Sequence, residues 1–273
     1  MKITKYISLV IAMLFLASCE DVVNVDLDTA APRLVIDAAI NWKKGTDGST
    51  QKIILSTTTD FYTNVIPKVS GANVSIKNSE NINYIFLEIP NTGEYQCTTF
   101  KPIIGETYVL TVVYKGETYT ATETLQPVTP IYTIQQTNNG GFSGKDYEIE
   151  VSFKDPLDKN FYMVKFFPDI YKAPNYQVIG DQYTNGNLKS WSFSDEDLKQ
   201  GSAIAITHYG ISENYFNYMS KLISVASSSA GGSPFQTPPA TVRGNIVNQT
   251  HIDNYALGYF SLSEVDYQNY IIK

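Results

Sequence analysis

Two histidines, two cysteines and two tryptophans are all that 273 residues hold of three residue types common in metal, redox and stacking sites. His208 and His251 are too few for a histidine-rich zinc centre, and neither HExxH nor CxxC occurs. There is no G-x-S-x-G, so a nucleophile elbow of the hydrolase type is unsupported. Gly-rich phosphate loops are also missing. "STQK" at Ser49–Lys52 fits S-x-x-K, but its companion motifs are absent. "DGST" and "SDED" carry acids without the spacing and glycine turn of a calcium loop. No basic cluster offsets a net charge of −7, which excludes nucleic acid, whose affinity comes from neutralised phosphates, as a partner. The same charge disfavours anionic lipid headgroups.

What is present begins at the N-terminus. Lys2 and Lys5 precede an uncharged run, "ISLVIAMLFLA", from Ile7 to Ala17. That layout is a secretory signal, expected over 1–18. The run is too short to span a bilayer, which takes about 20 residues. "LASC" then resembles a lipobox, which makes Cys19 the mature N-terminus and the lipid attachment site, with a diacylglyceryl thioether and an N-acyl chain such as palmitate. Two or three acyl chains hold a protein on a membrane where one binds only marginally. Glu20, Asp21, Asp26 and Asp28 follow. They resemble a surface-export signal of some Gram-negative envelopes, with a solvated spacer over 19–32 as the plainer alternative. Once Cys19 is lipidated, Cys97 has no disulfide partner, and a buried, inert thiol is expected there.

Residues 33–126 contain short alternating segments separated by turns. "RLVIDAAIN" puts Leu34, Ile36, Ala38 and Ile40 on one face. "GETYVLTVVYKGETYTATET" is a hairpin with Lys115-Gly116 at its turn. Seven such strands predict an immunoglobulin-like or transthyretin-like β-sandwich. "LQPVTPIY" marks a boundary, and 127–273 is expected to be a second β-rich domain with a helical insertion. There "YEIEVSFKDP" and "NFYMVKFFP" are expected to pair as neighbouring strands, and "GSAIAITHYG" and "YALGYFSLSE" are further strands. Helices are predicted near 194–200, capped by Ser194, and near 213–229, capped by Ser212. In the second, Tyr215, Met219, Leu222, Ile223 and Ala226 share a face that packs onto a sheet. The overall class is mainly β.

Aromatic residues reach 13%, with 20 tyrosines. Tyrosine fills half-buried sheets, and it also makes contact surfaces at low entropic cost. Tyr176, Tyr183 and Trp191 sit in a polar, Gly/Asn-rich stretch and are the candidate contact residues, with core packing as the alternative. His251 and Asp253 are a conceivable pair of metal ligands, against a hydrogen-bonded loop. No catalytic, cofactor or metal-binding residue is assigned.

"LASCED", "PRLVIDAAIN", "VSGANVSI", "GEYQ", "GETYVLTV…GETYTATET", "SENYFNYMSKL", "GGSPFQTPPATVRGNI" and "ALGYFSLSE" occur in an order that resembles an uncharacterised bacterial outer-membrane lipoprotein family, domain of unknown function 4249. The resemblance implies an anchored envelope protein, often found with TonB-dependent outer-membrane transporters. The expected function is therefore a non-enzymatic binding or accessory module for nutrient uptake at the outer membrane. An envelope hydrolase with an unrecognised site, or an adhesion or assembly module, are the alternatives.

Overall fold

The computed structural model describes residues 31–60, 63, 65–180, 186–229 and 241–273. The expected signal, Cys19 and Tyr183 lie outside these residues. Pro32–Lys273 form one compact unit.

The first half contains β1 (Leu34–Lys43), β2 (Gln51–Thr57), β3 (Asn73–Asn78), β4 (Asn83–Ile89), β5 (Glu94–Cys97), β6 (Thr107–Tyr114) and β7 (Glu117–Thr124). Their inward residues alternate as the sequence predicts, with Ile36, Ala38 and Ile40 of β1 fully buried. Burial of each isoleucine contributes about 1.5–3 kcal/mol. The β6–β7 hairpin turns at Lys115 and Gly116, both at positive φ, which matches a tight turn between right-twisted strands. β4 changes partners along its length. Asn83–Phe86 pair with β3, whereas Leu87–Ile89 pair with β5. The sheet can therefore fold back, and Ile36, Leu55, Ile76 and Leu110 meet in one core.

The second half contains β8 (Ile131–Gly140), β9 (Asp146–Lys154), β10 (Phe161–Pro168), β11 (Asn175–Gly180), β12 (Leu188–Asp195), β13 (Ala203–Ile211), α1 (Glu213–Ser229), β14 (Val247–Asn248) and β15 (Leu257–Ile271). One sheet runs β11-β10-β13-β15-β1-β2-β5-β4-β3-β6-β7-β14, and a second runs β12-β9-β8. β9 and β10 are not neighbours, contrary to expectation. β9 pairs with β8 and β12, and β10 with β11 and β13. Both strands point apolar side chains at the same core, so they face each other across it, with the Phe153 and Tyr162 rings 4.8 Å apart. The helix expected near 194–200 is also absent. Ser194 and Asp195 finish β12 opposite Glu148 and Tyr147. The Asp195 carboxylate then accepts the Asp197 N–H at 2.9 Å, closing a turn instead of capping a helix.

Chain division and packing do not coincide at Pro127. β15 lies parallel to β1 along nine residue pairs, and Ile246, Ala256, Phe260 and Leu262 join the first core. Gly258 permits this approach, because a Cβ there would stand 2.0 Å from the Ile36 carbonyl oxygen.

Candidate functional site

Helix α1 packs on the outer face of β10, β11 and β13. Ser212 fixes its start: its Oγ accepts the Tyr215 N–H at 3.2 Å, and its carbonyl accepts that of Phe216 at 2.9 Å. The Ser212 hydroxyl also donates to Glu123 Oε2 at 3.0 Å, tying the helix to β7. Phe216, Tyr218, Met219 and Ile223 pack with Tyr215 against Phe161, Met163 and Tyr209. Leu222 and Ala226, expected on this face, are exposed. The helix leans so that its 215/218/219 edge meets the sheet.

That lean brings tyrosines together. Tyr215 and Tyr218, three residues apart, stack at 15° with centroids 6.1 Å apart. Each ring lies 4.7 Å from Tyr259 of β15. Tyr259 is the register partner of Asp37 on β1. Asp37 is exposed, yet the surrounding walls desolvate its carboxyl and raise its pKa, against a smaller lowering by the Ala39 backbone N–H. Its charge bears on Tyr176, Tyr215 and Tyr218, adding to the upward push that burial gives their hydroxyls. Behind them, Glu123 is buried and its pKa raised, with Oε2 accepting from Ser212 and from Tyr259 at 3.3 Å. Lys165, whose pKa burial lowers, stands across from Tyr176. The result is a cluster of phenol rings, Tyr259 buried and Tyr176, Tyr215 and Tyr218 half-buried, beside one accessible carboxylate. Ring faces attract cations and pack on sugar or peptide surfaces, and the carboxylate adds charge and hydrogen-bond acceptance.

The other sequence candidates scatter. Tyr176 joins the tyrosine cluster, but Trp191 is buried beside Phe153, with ring centroids 5.9 Å apart, and presents no ring outward. His251 does not pair with Asp253. Its Nδ1 lies 2.9 Å from Glu117 Oε1, while the Asp253 backbone carbonyl accepts from Arg33. Glu117 also accepts from Tyr119, Asn248 and Asn254, and these contacts, Tyr119 foremost, hold its pKa low. This is a polar clasp between β7 and the loop after β14. Ser49 bonds Asp47 and Lys52 bonds Glu94, which separates the two ends of the S-x-x-K match. Among the described residues no group of three or more His, Cys, Asp or Glu could hold a metal ion.

Cys97 is buried in the first core, its Sγ 3.6 Å from Thr99 Oγ1. A thiol reagent is expected to leave it unlabelled in the native protein and to label it fully in denaturant. Fast labelling under native conditions would contradict this burial.

Asp37, Tyr215, Tyr218 and Tyr259 were not legible as a site in the sequence. Alternation places Asp37 on the outer face of β1, but nothing local shows that α1 arrives beside it.

Among solved structures, the chain is similar to a two-domain fibronectin type-III segment of chicken tenascin, at 14% identity over 66% of this chain and 90% of that one, with a TM-score of 0.22. It is also similar to a DUF4785 family protein from Legionella pneumophila, at 10% identity over 65% of this chain and 52% of that one, with a TM-score of 0.27. No curated protein matches it. The model of the domain of unknown function DUF4249 matches residues 20–269, so the chain belongs to that family.

Proposed function

We propose that this protein is a lipid-anchored outer-membrane lipoprotein, held by Cys19, that acts as a non-enzymatic binding or accessory module beside a TonB-dependent transporter in nutrient uptake. The observation that carries the binding role is the tyrosine cluster around Asp37. It combines rigid aromatic surface with a single accessible carboxylate, which suits recognition better than bond-making. The signal, the lipobox and the acidic tether support the anchor. No described helix is long and apolar enough to cross a membrane, so lipid at Cys19 is the attachment the reading requires. In the hydrolase alternative, the His251–Glu117 contact would be the acid–base pair, but Glu117 is already engaged by three further donors.

Mild crosslinking and pull-down of the native protein from whole envelopes, with protease added to intact cells in parallel, tests this reading. Co-purification of an outer-membrane transporter and protease sensitivity are expected. Recovery alone, shielded from protease, contradicts the surface accessory role. Cys19→Ser is expected to release the protein from the membrane fraction. Retention there would remove the lipid anchor from the account.

A further inference from the structure

The interior of the second half holds a charged pair in an unusual state. Lys189 and Asp155 point inward with the alternating core residues of β12 and β9, and their side chains are 6% and 0% exposed. Lys189 Nζ lies 3.2 Å from Asp155 Oδ2, yet neither atom has a hydrogen-bond partner. Phe153, the register partner of Lys189, and Trp191 are their core neighbours. A buried ion pair persists when its geometry is good and its remaining protons and lone pairs are satisfied. Here the approach is close, the alignment is poor and the neighbouring rings are apolar. Asp155 Oδ1, by contrast, is held: the Tyr162 hydroxyl donates to it at 2.9 Å.

We propose that Lys189 Nζ and Asp155 Cγ are joined by an amide bond, an intramolecular isopeptide cross-link. The pair holds everything the reaction needs. One proton passes from Nζ to Oδ2, which frees the nitrogen lone pair for attack. Nζ attacks Cγ while the Tyr162 hydroxyl stabilises the charge developing on Oδ1. The Cγ–Oδ2 bond then breaks, and Oδ2 takes a second proton from nitrogen and departs as water. The products are one amide and one water, with no oxidant or external reagent. Two buried charges become one neutral group, and the end of β9 is fastened to the start of β12 around β10 and β11.

Tryptic peptide mapping by mass spectrometry, on full-length protein purified from its membrane, decides the matter. The expected product is a branched peptide carrying both Asp155 and Lys189, lighter than its two parts by one water, with no cleavage after Lys189. Lys189→Met and Asp155→Ala should each give linear peptides of full mass. Loss of water by Asp155 alone, through a succinimide, is not open to it, because Pro156 has no backbone N–H to close the ring. Full recovery of both linear peptides from the unaltered protein, with trypsin cutting after Lys189, overturns the proposal. That outcome is read on the wild-type chain and does not depend on either variant folding.

Discussion

Gly258→Ala is expected to lower the stability of the folded protein by about 3–5 kcal/mol, the range of severe backbone and overpacking defects. At φ +95° the residue occupies a region that side chains rarely adopt. The added Cβ would stand 2.0 Å from the Ile36 carbonyl oxygen and 2.7 Å from its carbon, both backbone atoms of β1. β1 cannot give way easily, because it is paired with β2 on one side and β15 on the other. Gly45→Ala is the control. It has a similar φ of +82° but nothing within 4 Å of the new carbon, so only the left-handed strain of about 1–2 kcal/mol applies. Denaturant midpoints of the two variants measure the difference. Equal losses would mean that the close approach of β15 to β1 does not hold the fold.

His208→Gln is expected to flatten the acid side of the stability profile. His208 Nδ1 lies 3.1 Å from the Thr129 carbonyl, which can only accept, so Nδ1 carries the proton. Nε2 is left unpaired among Phe153, Tyr162 and Trp191. Burial lowers the pKa of this ring from 6.5 to about 3, partly opposed by the Thr129 bond. Between those values the unfolded chain binds a proton that the folded one refuses, so stability falls as pH falls through that window. The loss reaches about 5 kcal/mol when the window is crossed. Asp37 and Glu123 act in the opposite sense. Their folded pKa values are raised, so acidification favours the folded state through them. A wild-type and His208→Gln pair, unfolded by denaturant at several pH values, isolates the histidine. Parallel profiles would show that His208 is not buried as a neutral ring.

Much of the local structure was legible in the residues. Alternation in "RLVIDAAIN" identified the buried face of β1, Lys115-Gly116 identified a turn, and Ser212 identified the helix cap. Each of these depends on neighbours a few positions away. What escaped depends on remote partners. The stretch 194–200 looks helical because Ser194 and Asp197 imitate a capping box, but Ser194 and Asp195 end β12 against β9 and the chain then turns. β9 and β10 looked adjacent because they follow one another, but their apolar faces are better satisfied across a core than side by side. The parallel docking of β15 on β1 has no local signature apart from a glycine at 258. The tyrosine cluster shares this property: Asp37 on β1, Tyr176 on β11, Tyr215 and Tyr218 on α1 and Tyr259 on β15 come from four separate stretches. The buried Lys189 was equally invisible, since an inward lysine in an alternating strand resembles a surface residue.

Binding through the tyrosine cluster is the central claim, and photo-crosslinking in intact cells tests it most directly. A photoreactive phenylalanine analogue would replace Tyr218, in the cluster, or Leu87, which is 71% exposed beside Ile85 on the outer face of β4. The account predicts a discrete adduct with an outer-membrane transporter or its cargo from position 218, lost when Asp37→Ala and Tyr259→Ala are combined with it, and none from position 87. An adduct confined to position 87 would place the contact surface on the β4 face and contradict the role assigned to the tyrosine cluster.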